Sequence, residues 1–126
     1  MALCIAAGGA VVALAMQAFT IAWTHSIEKV RWEEDYRIEG SMLRLVEARI
    51  SGHGAGMEPP QGSRLEHGIW HYTPKLPPLP ELRLTHSSYT ADYELCGNGR
   101  CEALSVHAPK AASGEAVRLY ACESVR

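Results

Sequence analysis

Between Ala18 and Glu39 apolar and polar side chains alternate with period two, the pattern of strands with one buried face. Phe19, Ile21, Trp23, His25 and Ile27 share one side, and Thr20, Ala22, Thr24, Ser26 and Glu28 share the other. A second run places Trp32, Glu34, Tyr36 and Ile38 together, opposite Glu33, Asp35 and Arg37. Each apolar row holds one ionisable member, His25 in the first and Glu34 in the second. A hairpin with Glu28 to Arg31 as its loop sets Ile27 against Trp32, His25 against Glu34, Trp23 against Tyr36 and Ile21 against Ile38. The two exceptions then meet as an imidazole–carboxylate pair among aromatic rings.

The same pattern organises the rest of the chain. Gly8-Gly9 separates the apolar runs Leu3 to Ala7 and Ala10 to Ala15, the signal of a two-residue hairpin over residues 1–17. The competing readings there are a signal sequence or an anchor. Met1 to Thr24 has no charged side chain, but no Lys or Arg precedes Lys29, and a membrane span would consume the alternating strand. Gly40-Ser41 marks a turn. Met42 to Ile50 follows as a strand, with Leu43 and Leu45 on one face and Met42, Val46, Ala48 and Ile50 on the other. Ser51 to Ser63 is a glycine-rich loop containing His53, Gly54, Gly56 and Met57. Ile69 to Tyr72 is a short aromatic strand, and Leu76 to Pro80 is an extended proline-rich crossing. Glu81 to Ser88 and Tyr89 to Leu95 continue as strands, Cys96 to Cys101 forms a hairpin tip, and Ala116 to Cys122 closes the chain. The expected architecture is a single all-β domain over residues 1–126, a compact antiparallel barrel or sandwich of about eight strands.

Composition narrows the functions. A chain of 126 residues with a net charge of -2 and no Lys/Arg block lacks the basic field that nucleic acid requires. Its four cysteines permit up to two disulfides. Cys96 and Cys101, at the bases of one turn, are the candidate pair; two free thiols are the alternative.

Candidate chemistry is sparse. His25 and Ser26 are strand neighbours that point to opposite faces, so they make no nucleophile–base pair. The glycines of the 51–63 loop are not followed by the Gly-Lys-Ser/Thr of a phosphate loop. His67 and His71 on one strand lie about 13 Å apart, too far for one metal ion. The pair of His25 and Glu34 is the strongest remaining feature, with no metal or cofactor implied. Its alternatives are a core pair that sets register or a polar spot that recognises a ligand.

The strings FTIAWTHSIEK, WEEDYRI, SGHGAGMEPP, PPLPELRL and LCGNGRC together resemble the bacterial domain-of-unknown-function family eighteen-fifty. The matching positions are Thr24, His25, Ser26 and Glu28, then Glu34, then Gly54, Ala55 and Gly56. The resemblance implies a companion of TAXI-type TRAP transporters, which import small organic acids with a periplasmic binding protein, and it brings no catalytic activity. The expected function is a non-enzymatic accessory or binding module with a transporter component as partner. Its candidate surface is His25, Ser26, Glu28, Glu34, His53, Gly54, Gly56 and Met57. The alternatives are an enzyme acting on a small ligand or through a metal with a His–Glu pair, and a purely structural domain. A periplasmic or membrane-associated location follows from the resemblance, with the cytoplasm left open by the lack of a basic leader.

Overall fold

Gly8 and Gly9 adopt φ of 60° and 77°, the pair of left-handed residues that matches the twist of a two-residue hairpin. Around them β1 (Ala2–Ala7) pairs with β2 (Ala10–Leu14). The remaining strands are β3 (Ala18–Thr24), β4 (Arg31–Glu39), β5 (Met42–Ser51), β6 (Arg64–Glu66), β7 (Ile69–Tyr72), β8 (Leu82–Thr85), β9 (Glu94–Gly97), β10 (Arg100–Ala103) and β11 (Ala116–Cys122). Leu104–Val106 forms one 3-10 turn. These elements come from a computed structural model that describes residues 1–24, 30–51, 61–88 and 91–123.

The strands form two antiparallel sheets, ordered β2-β1-β11-β8 and β10-β9-β3-β4-β5-β7-β6. One hydrophobic core joins them. The smaller sheet contributes Leu3, Ile5, Leu84, Val117 and Leu119; the larger contributes Phe19, Ile21, Tyr36, Ile38, Leu43, Leu45 and Leu95. The architecture is therefore all-β, with eleven strands among the described residues rather than about eight. One of the additional strands is β10, which pairs with β9 across the Cys96–Cys101 tip around Asn98 and Gly99 at φ of 53° and 76°. Another is β6, three exposed residues joined to β7 by a turn in which His67 and Gly68 take φ of 52° and 80°.

The central hairpin differs from expectation in its register. Trp23 faces Trp32, Ile21 faces Glu34 and Phe19 faces Tyr36, so the partner of Glu34 is Ile21 and not His25. The pairing is displaced by an even number of residues, which leaves every side chain on its expected face. Aromatic stacking accounts for the choice. Trp23 and Trp32 lie 6.1 Å apart and nearly parallel, and Phe19 and Tyr36 lie 5.3 Å apart in the same manner. Each such pair contributes about 0.5–1.5 kcal/mol beyond burial.

Strand β5 resolves a conflict in its own pattern. Asp35 faces Glu47 while the next residue, Tyr36, faces Leu45, so Val46 is the extra residue of a bulge. The bulge shifts the alternation by one. Leu43 and Leu45 before it and Ala48 and Ile50 after it are consequently all buried. The proline-rich crossing touches the same strand, because Leu79 and Leu43 exchange two backbone hydrogen bonds of 2.8 and 2.7 Å. From there the chain passes into β8 and the smaller sheet.

Candidate functional site

Glu34 stands on the inward face of β4, in line with Tyr36 and Ile38. Across the sheet its neighbours are Ile21 on β3 and Ala48 on β5, and Tyr72 on β7 faces Ala48. The Tyr36 hydroxyl donates a 2.8 Å hydrogen bond to Glu34 Oε1. Burial raises the pKa of the Glu34 carboxyl, and the bond from Tyr36 pulls it partly back. The phenols respond in kind. Desolvation, followed by the negative charge of Glu34, raises the pKa of Tyr36, Tyr72 and Tyr93.

One row further along β4, at the end away from the shared core, the inward residues are aromatic. Trp23 stacks on Trp32, and Tyr93 meets Trp23 at 5.9 Å with a 60° tilt. On the other side Ile50 faces Trp32 and Trp70 faces Ile50. Trp23 and Tyr93 pack against the core, whereas Trp32 and Trp70 stand outside it and keep part of their surface exposed. The indole Nε1 of Trp32 is buried and finds no acceptor among the described residues. A buried N–H without a partner costs about 1–3 kcal/mol. The row thus offers aromatic faces, one unfilled donor and a carboxyl that exchanges its proton closer to neutrality than an exposed glutamate does.

The opposite face of the same sheet is ionic. Arg49 is held by Asp35 through two bonds of 2.6 and 2.7 Å, by Glu33 at 3.1 Å and by Glu47 at 2.9 Å. Arg31 joins Glu33 to Glu94, each at 3.2 Å. Thr20 donates to Asp35 at 2.6 Å. The guanidinium of Arg49 is the largest cause holding the Asp35 carboxyl below its usual range, and the carboxylates push Arg49 further up. Beside this network Cys96 and Cys101, directly opposed across the turn, form a disulfide.

Of the residues expected at the site, Glu34 belongs to the inward row just described. His25, Ser26, Glu28, His53, Gly54, Gly56 and Met57 lie outside the described residues. His67 occupies the turn between β6 and β7, not a strand shared with His71. His71 turns to the ionic face and approaches Glu47 at 3.3 Å. Glu94, Cys96 and Cys101 bring potential metal-ligating atoms within 4.8 Å of one another, but the two sulfurs are bonded to each other.

Sequence reasoning missed the Arg49 network and the participation of Tyr93 and Trp70. Placing Glu33 and Asp35 on one outward row was the available signal for the first, since two adjacent carboxylates there call for a cation on the neighbouring strand. The second disulfide, Cys4 to Cys122, also went unpaired. It ties β1 to β11, and 118 residues separate its ends.

Comparison with curated proteins and with solved structures yields no match. The family comparison does: residues 19–104, from the core of β3 to the start of the 3-10 turn, match Domain of unknown function (DUF1850). Covering well over half of the chain, and including both the inward row around Glu34 and the disulfide-bridged turn, that match establishes that the protein belongs to this family.

Proposed function

We propose that the protein is a non-enzymatic binding module that accompanies a TAXI-type TRAP solute transporter, and that the aromatic row around Glu34 is its recognition surface. The observation that carries the reading is the buried Trp32 Nε1, without an acceptor among the described residues, beside a carboxyl with a raised pKa. An indole N–H left open in this way is satisfied when a ligand or partner supplies an acceptor. The partly exposed rings of Trp32 and Trp70 supply the apolar contact that makes Trp a frequent anchor at interfaces. Two disulfides favour an oxidising compartment such as the periplasm, where the solute-binding component of such a transporter operates. The two sheets, joined by one core and each with open edges, are best read as the layers of a sandwich rather than as a closed barrel.

The test is a pull-down of the tagged protein from native membranes, beside a Glu34→Gln, Trp32→Phe variant whose thermal unfolding shows that it is folded. Recovery of a TRAP permease or its binding protein by the wild type, and its loss in the variant, is the expected result. Equal recovery by both would keep the partner and remove the recognition surface. Recovery of no transporter component by either would end the transporter reading.

A further inference from the structure

Strand β2 is a free edge of the smaller sheet, paired with β1 alone among the described residues. A sheet edge presents unpaired backbone N–H and C=O groups, and proteins blunt it with charged side chains or by keeping the strand short. The other edges follow that rule. β6 has three residues with a charge at each end, and β8 and β10 have four each and carry Arg83 in the one, Arg100 and Glu102 in the other. β2 does not follow it. Its five residues are Ala-Val-Val-Ala-Leu, and no charged side chain occurs from Met1 to Thr24.

The register shows which groups are open. Ala7 and Ala10 close the two-residue Gly8-Gly9 turn and so form a hydrogen-bonded pair. By alternation Val12 and Leu14 also bond to β1, opposite Ile5 and Leu3, while Val11 and Ala13 turn their N–H and C=O away from it. Among the described residues no hydrogen bond reaches those outward groups. The Val11 side chain is 59% exposed, and Ala13 on the same face is exposed too.

We infer that β2 is a dimerisation edge, which pairs antiparallel with β2 of a second copy of this chain about a two-fold axis at Val12. In that register Val11 and Ala13 of one copy oppose Ala13 and Val11 of the other, so every open N–H meets an open C=O. The strand's own sequence selects a second copy as the occupant. An isologous contact must be its own complement under reversal, and here a larger side chain meets a smaller one on either side of the axis, Val11 against Ala13 and Leu14 against Ala10. The faces agree as well, with Val11 and Ala13 on the solvent side and Ala10, Val12 and Leu14 on the core side. No like charges meet along the strand. The two smaller sheets become one continuous sheet running through both copies, and the recognition surface proposed around Glu34 lies on the other sheet. One strand pair buries less than a standard interface, so the dimer forms in a concentration-dependent manner.

The experiment is sedimentation equilibrium of the full, disulfide-intact chain from about 1 μM to about 1 mM, with amide hydrogen exchange followed by NMR at low and high concentration. A monomer–dimer equilibrium is expected. Protection of the Val11 and Ala13 amides should rise with concentration, while that of Val12 and Leu14, already bonded to β1, should change less. Val11→Lys puts a charge at an exposed position, and Ala13→Pro removes an N–H that β1 does not use, a change that edge strands accept. Each should weaken dimerisation by on the order of tenfold or more, with thermal unfolding showing that the variants are folded. A monomer at every concentration would overturn the inference and leave the edge to an extended segment of a different protein. A dimer unaffected by Val11→Lys, or one whose added protection spares Val11 and Ala13, would overturn it as well.

Discussion

At the scale of single residues, Glu34 and Asp35 are chain neighbours with opposite electrostatic fates. Glu34 points inward, where burial raises its pKa above the ordinary 4.5. Asp35 points outward, where Arg49 holds its pKa below the ordinary 3.8. Their contributions to stability therefore run in opposite directions with pH. The folded state binds the Glu34 proton more tightly than the unfolded state does, so this residue makes the protein more stable as pH falls through its raised folded value, with the gain complete below 4.5. Asp35 contributes stability above 3.8 that is lost as pH falls through its lowered folded value. We predict that Glu34→Gln, which keeps an acceptor for Tyr36 but no charge, is more stable than wild type at neutral pH and loses the rise on mild acidification. Urea unfolding across the acidic to neutral range checks this. An unchanged pH profile would show that Glu34 is solvated in the folded protein.

At the scale of elements, turn chemistry and bulges settle what the strands leave open. Gly8 has φ of 60°, and a Cβ there would collide with the backbone carbonyl of Lys110, while Gly9 at 77° has open space around it. The Gly8 amide also donates to Glu115 Oε2 at 2.8 Å, and Ala112 donates to the other oxygen of the same carboxylate. The hairpin tip is thus docked on the loop before β11. Both glycines meet the cost of a left-handed side chain, about 1–2 kcal/mol, but only Gly8 adds a collision. Gly8→Ala should therefore destabilise by about 2 kcal/mol or more and Gly9→Ala by about 1 kcal/mol. Equal losses in urea unfolding would mean that the docking at Lys110 contributes nothing. Much of this level was legible beforehand, because Gly8-Gly9 and Asn98-Gly99 encode their turns in adjacent residues. The β5 bulge was not. Leu43 and Leu45 alternate out of phase with Ala48 and Ile50, and only the opposing strand β4 shows that Val46 absorbs the difference.

At the scale of the whole molecule, the first and last strands are neighbours in the smaller sheet, and the Cys4–Cys122 disulfide locks them together. Reducing the conformational freedom of the unfolded chain is its main effect, and that effect grows with the length of chain enclosed. On this argument the 118-residue separation of Cys4 and Cys122 is worth roughly 5 kcal/mol, against roughly 2 kcal/mol for the five-residue separation of Cys96 and Cys101. A Cys4→Ser, Cys122→Ser variant should accordingly lose considerably more stability than a Cys96→Ser, Cys101→Ser variant. Calorimetry of the two variants under identical conditions compares them directly. If the short bridge proved the more stabilising, chain entropy would not be its dominant contribution.

The alternation over residues 18–39 and 42–50 by itself determined that the protein is all-β and which side chains of the central hairpin face inward, Glu34 among them. Period-two patterning and turn residues act over neighbouring positions, so they are readable without knowing any partner. Tertiary structure alone decided which residues meet across the sheets. It set Ile21 rather than His25 against Glu34, gathered Glu33, Asp35 and Glu47 around Arg49, and joined Cys4 to Cys122. Those choices depend on stacking, ion pairing and loop closure between distant segments. Several registers satisfy the same local pattern, and only packing of the complete chain separates them.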